Sequence, residues 1–167
     1  PAPLDNYWVQ LSTTTTTAGQ DLNVTITARD IFLNTLNTNA IVRVTSNALS
    51  DITYPQLISG VTTVTLTVTT AGYLDRVVTV NTTATPSVTS QSTMFTVTSA
   101  NHTTYAIETV EGLPTIPDQT AGVATTIVIR AVDAFGNTVL ASTAGVGITS
   151  ASWSGTTITV SAFTQGT

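Results

Sequence analysis

Two five-residue segments, Asp30-Ile-Phe-Leu-Asn34 and Asp133-Ala-Phe-Gly-Asn137, place a carboxylate and a carboxamide four residues apart. Such a pair can close a turn, its oxygens accepting backbone N–H groups while Phe32 or Phe135 plugs the end of a core. It can also contribute to a calcium site at a domain junction. Calcium takes six to eight oxygens, usually from several carboxylates. Asp30, Asn34, Asp133 and Asn137 are therefore metal candidates only if Asp5, Asp118 or Glu111 converge on them from loops. The turn is the expected reading, and calcium is the one cofactor these residues leave open.

Nothing else gathers into a reaction centre. His102 is the single histidine and lies in a hinge, Ser99-Ala-Asn-His-Thr103. A Ser-His-Asp triad would need a nucleophile elbow, and none is present. Glu108 and Glu111 are neighbouring acids, but a glycosidase pair must face across a cleft, and no segment suggests one. The chain has no Cys, which removes disulfides, thiolate chemistry and Cys-based zinc sites. It has no Lys either, which removes Lys–Asn isopeptide cross-links. No catalytic and no cofactor-binding residue is assigned, and an enzyme is not expected.

Modification and recognition offer more. Three Asn-x-Thr sequons, at Asn23, Asn81 and Asn101, are glycosylation candidates. All three fall at positions expected to be exposed. Trp8 and Trp153 could stack on sugars, though a contact between domains or subunits explains them as well. The run Thr13–Thr17 reads as a polar edge strand or a loop that could take O-glycans.

The elements that must carry these residues are strands. Residues 21–29 alternate with period two: Leu22, Val24, Ile26 and Ala28 point inward, Asn23, Thr25, Thr27 and Arg29 outward. The same reading gives strands over 6–12, 40–46, 61–69, 73–81 and 92–98, with a short edge segment near 51–55. Thr occurs 40 times, and a β-branched polar residue suits the wet face of a strand as Val and Ile suit the dry one. No stretch reads as a helix.

The whole pattern recurs. Residues 18–36 align without a gap on residues 121–139 at an offset of 103, with eight of 19 positions identical. Tyr7-Trp-Val-Gln-Leu11 corresponds to Tyr105-Ala-Ile-Glu-Thr109 upstream. A second set of strands is expected over 104–110, 124–132, 145–150 and 156–162. About 100 residues and seven short strands is the size of one β-sandwich. The expectation is an all-β chain of tandem immunoglobulin-like β-sandwiches, repeat 1 over 1–99 and repeat 2 over 100–167. Repeat 2 lacks counterparts of its last strands, so downstream chain or a donated strand would complete it. Leu33 stands where repeat 2 has Gly136. The turn in repeat 1 is therefore expected either to adopt another conformation or to place Asn34 in the left-handed region.

Net charge is −5 and only 8% of residues are charged, so neither nucleic-acid binding nor electrostatic membrane attachment is expected. No apolar run reaches the ~18 residues of a spanning helix. The chain opens at Pro1 with neither Met nor signal peptide, which reads as a mature or trimmed product.

The run Ala121-Gly to Asp133-Ala-Phe-Gly-Asn137, its sister from Ala18 to Asn34, and Thr70-Ala-Gly72 resemble the immunoglobulin-like repeats of bacterial and archaeal surface proteins, among them invasin- and intimin-like adhesins and S-layer proteins. The resemblance covers most of the chain. It implies an exported, repetitive role in load-bearing or display at the cell surface. The expected function is a structural module of an extracellular assembly (S-layer, stalk or filament), with an adhesin or carbohydrate-binding module as the alternative. Expected partners are copies of the chain or neighbouring repeats, with surface glycans as a further class.

Overall fold

The computed structural model describes residues 2–49, 51–84, 87–120, 123 and 125–140, with Tyr73 described in its backbone alone. Every regular element among them is a β-strand. The chain divides into two compact units, Pro1–Ala100 and Asn101–Thr167.

The first unit is built from β1 (Asn6–Leu11), β2 (Thr15–Thr17), β3 (Asp21–Arg29), β4 (Val42–Ser46), β5 (Val61–Thr67), β6 (Gly72–Arg76), β7 (Val78–Thr82), β8 (Thr89–Gln91) and β9 (Phe95–Thr98). In β3 the alternation of residue types becomes an alternation of burial. Leu22, Val24, Ile26 and Ala28 are fully buried, while Asn23 is exposed and Thr25 and Arg29 are half-buried. Thr27 was expected outward and is nevertheless buried. It pairs with Trp8 on β1, whose large side chain stands on the same outer face.

Three small sheets have the orders β1-β3-β5, β2-β9-β6 and β4-β7-β8. All pairings are antiparallel except β2 with β9, which is parallel. One hydrophobic core draws on all three sheets, for example Val24 and Ile26 from the first, Phe95 and Val97 from the second, and Val44 and Val80 from the third. The segment expected near 51–55 lies beside β4 through bridges Val44↔Thr53 and Ile41↔Gln56.

Two stretches expected as continuous strands are interrupted. Residues 73–81 break between β6 and β7 at Val77, because a side chain takes over the ladder there. Asn47 Oδ1 accepts the Val77 N–H at 3.0 Å and its Nδ2 donates to the Asp75 carbonyl at 2.6 Å. Ser46 Oγ donates to the Val77 carbonyl at 2.7 Å. Residues 92–98 start as a strand only at Phe95, where Ser92 plays the same part. Its Oγ accepts the Val78 N–H at 3.0 Å and donates to the Thr93 carbonyl at 2.7 Å. Short polar side chains compete with sheet pairing in this way.

Gly60 is fixed by close approach. Its φ is +88°, and a Cβ there would lie 1.8 Å from the Leu36 carbonyl oxygen. The loop leading into β5 thus crosses the chain leaving β3 at a spacing only glycine permits.

The second unit shows β10 (Thr104–Glu108) and β11 (Val128–Val132), paired antiparallel with Tyr105 opposite Ala131. The strand expected over 124–132 therefore begins later. The strands expected at 145–150 and 156–162, Trp153, and any completion of this unit lie outside the described residues. No helix long and apolar enough to cross a membrane occurs among the described residues.

Candidate functional site

The two Asp-x-Phe-x-Asn segments fold alike. Asp30 Oδ1 accepts the N–H groups of Phe32 and Asn34, both at 2.9 Å, and Asp30 Oδ2 accepts Asn34 Nδ2 at 3.2 Å. Asp133 Oδ1 accepts the N–H groups of Phe135 and Asn137, both at 2.9 Å, and its Oδ2 accepts Asn137 Nδ2 at 2.9 Å. The backbone closes in the same way, with Asp30 N–H on the Asn34 carbonyl and Asp133 N–H on the Asn137 carbonyl, each at 3.0 Å. The entering chain is pinned identically: Asp5 N–H donates to the Arg29 carbonyl and Thr103 N–H to the Val132 carbonyl, each at 2.9 Å. The strand register matches too, since Tyr7 faces Ala28 as Tyr105 faces Ala131.

Both carboxylates are buried, Asp30 at 3% exposure and Asp133 at 2%. Burial by itself would push the Asp30 pKa up. The hydrogen bonds from the Asn34 side chain and from the Asn34 and Phe32 N–H groups outweigh it and hold the carboxyl below the usual aspartate range. Both Asp30 oxygens are thus engaged within the turn, whereas a calcium ion needs oxygens turned outward to it. Among the described residues, no three His, Asp or Glu side chains cluster as metal ligands.

Two expectations about this turn fail. Phe32 and Phe135 do not plug the core, being 75% and 47% exposed. The buried Asp organises the turn from inside, so the peptide between Asp and Asn loops outward and carries Ile31, Phe32 and Leu33 into solvent. The turn in the first unit neither changes conformation nor moves the left-handed residue to Asn34. Leu33 itself sits at φ 66°, alongside Gly136 at φ 83°. The hydrogen bonds to Asp30 hold a leucine in a region that usually needs glycine.

The remaining candidates scatter. Glu108 pairs with Arg130, which donates Nε to Oε2 at 3.0 Å, Nη2 to Oε1, and Nη1 to Thr138 Oγ1 at 2.6 Å. The hydrogen bond from Arg130 lowers the Glu108 pKa, with burial opposing and charge attraction adding to it. The Arg130 pKa is raised in return, chiefly by the same hydrogen bond. Glu111 is exposed in the turn beyond. His102 is half-buried and packs on Tyr105, ring centroids 5.2 Å apart. Asn23 and Asn101 are exposed, as expected of sequons. Asn81 is instead half-buried within β7, with a buried Oδ1 that makes no hydrogen bond.

Trp8 is 43% exposed, yet the Arg29 guanidinium lies 3.8 Å over its ring centroid and occupies one stacking face. Sequence reading missed this contact and the Glu108–Arg130–Thr138 cluster. For Trp8–Arg29 and Glu108–Arg130 the signal is diagonal placement on paired strands, visible once the β1–β3 and β10–β11 registers are known, while Thr138 is brought in by its bridge to Val132. A cleft of about 270 Å³ opens between Leu4, Tyr7, Ile41 and Val88. It lies just below the usual range for small-molecule sites, and among the described residues no charged side chain lines it.

The outer face of β3 and β5 carries a further regular feature. Thr67 Oγ1 donates to Asp21 Oδ1 at 2.8 Å, Thr65 Oγ1 donates to Asn23 Oδ1 at 2.8 Å, and the Thr25 and Thr63 hydroxyls meet at 3.1 Å. Comparison with protein-family models, with curated proteins and with solved structures returns no match.

Proposed function

We propose that this chain is a non-catalytic structural module of an extracellular surface assembly (an S-layer, stalk or filament) built from tandem immunoglobulin-like β-sandwiches. The observation that carries the reading is the duplicated Asp-centred turn. The same four hydrogen bonds within the turn recur 103 residues apart, on strand pairs of the same register. A repeated, internally satisfied turn is scaffold, and scaffold in tandem copies suits a molecule whose work is to span and to pack.

The strand order supports the sandwich. β6 runs on into β7, β8 precedes β9, and all three sheets line one core, which suits β2-β9-β6 and β4-β7-β8 as one layer of a sandwich and β1-β3-β5 as the other. The hydroxyl-rich outer face and the exposed Asn23 and Asn101 sequons suit a secreted surface. The carbohydrate-binding alternative is weakened at its best residue, because Arg29 already covers one face of Trp8.

Antibodies raised against the purified chain provide the test. On intact source cells they should label a periodic surface layer or appendage in electron micrographs. Labelling confined to permeabilised cells would sink the reading.

A further inference from the structure

We propose that the open edge of β5 pairs with β5 of a second copy of this chain, forming an antiparallel dimer centred on Thr65. This goes beyond the functional reading above and stands or falls independently of where the protein resides.

The hydrogen-bond phase defines the edge. Ala28 N–H donates to the Gly60 carbonyl, and Val68 N–H donates to the Gln20 carbonyl. Residues of β5 two apart share a phase. Thr62, Val64 and Leu66 therefore bond to β3, while the backbone groups of Thr63, Thr65 and Thr67 point away from it. Among the described residues, β5 pairs with β3 alone. The other edges of the first unit are shorter or covered. Ser90 Oγ accepts the Tyr7 N–H beside β1, and residues 53–56 lie along β4.

Edge strands are normally protected by charge, proline, a bulge or a covering segment. β5 reads Val-Thr-Thr-Val-Thr-Leu-Thr over 61–67, with neither charge nor proline, and its register with β3 is regular. Val64 belongs to the core-facing phase yet remains half-buried, while its partner Val24 is fully buried. An added strand would cover it.

A second copy of β5 fits this edge. With the two-fold axis at Thr65, Thr65 faces its own copy and Thr63 faces Thr67, all with backbone groups turned toward the partner. Val64 then meets Leu66 on the core side. On the outer side, the observed Asn23–Thr65 and Thr25–Thr63 rows run on into their symmetry mates. Placing the axis at Val64 would instead require Val61, whose N–H and carbonyl are already bonded to Ile58. A seven-residue edge falls short of the ~1,200 Å² typical of stable complexes, so the dimer is weak and concentration-dependent. Each copy carries −5 net charge, so added salt should strengthen it.

Sedimentation velocity on the full chain tests this from about 1 μM to about 1 mM, the range a weak interface spans. The wild type should pass from monomer to dimer. Thr65→Pro removes an N–H that β3 does not use, and should weaken the dimer about tenfold or more. Thr65→Lys keeps an exposed side chain but opposes like charges at the axis, and should also weaken it. Mixing Thr65→Lys with Thr65→Glu should restore association. Circular dichroism of each variant reports the fold, and the lysine–glutamate mixture decides if the proline variant unfolds. A wild type that stays monomeric throughout, or a dimer indifferent to both charge variants, overturns the proposal.

Discussion

Leu33 is the sharpest residue-scale feature, a leucine at φ 66° whose sister position holds Gly136 at φ 83°. Its side chain is largely exposed, so little packing offsets the backbone cost. Leu33→Gly should stabilise the first unit by about 1 kcal/mol, and Gly136→Ala should cost the second a similar amount. Thermal melts of the two variants check this, and shifts of the same sign would count against equivalent turns. The sequence made the position conspicuous but pointed to the wrong remedy. Local preference says leucine avoids this conformation, whereas the hydrogen bonds that converge on one buried carboxylate impose it.

Charge adds a second expectation at the same scale. Glu108 and Asp30 both have folded-state pKa values below their usual range. Their stabilisation is complete above the unfolded-state values, about 4.3 and 3.9, and is lost as pH falls through the lower folded values. Stability should therefore decline on acidification from about pH 5 downward, and Glu108→Gln should flatten the part belonging to the second unit. Acid melts of wild type and variant give the comparison. Identical profiles would show that the Arg130 pair does not contribute.

At the scale of elements, alternation does most of the work. β3 is legible to its end residues because Leu22, Val24, Ile26 and Ala28 take one face without a slip. The breaks before β7 and β9 were not legible, because they depend on Asn47 and Ser92 reaching backbone groups on other segments. Nor was the pairing of β2. Five threonines in a row say "strand or loop" but do not name a partner 81 residues away. Phe95, by contrast, opens the strand expected over 92–98 and is fully buried in the common core. Phe95→Ala should cost about 3–5 kcal/mol in chemical denaturation. A loss under about 1 kcal/mol would mean that this core collapses around the gap.

For the whole molecule, the core of the first unit is formed, among the described residues, by residues of that unit, from Leu4 to Ala100. A chain of residues 1–100 should therefore melt cooperatively on its own, close to the temperature of its transition in the full protein. A broad, non-cooperative melt would show that the unit depends on residues past Ala100. The duplication itself was readable in sequence, because the Asp, Phe and Asn of each turn are identical. Its geometric fidelity was not, since register is a property of pairs of strands.

The parallel β2–β9 pair has a consequence for a molecule held at its ends. β2 lies near the start of the first unit and β9 at its close, and they run the same way, with Thr15 beside Thr96 and Thr17 beside Thr98. Tension drawn through both termini slides these strands past each other lengthwise. The bonds Thr96 N–H to Thr14 carbonyl at 2.9 Å and Ala18 N–H to Thr98 carbonyl at 2.8 Å are then sheared together, not unzipped one by one. Single-molecule stretching should show a sharp rupture peak that drops in Thr16→Pro, and an unchanged peak would place the resistance elsewhere.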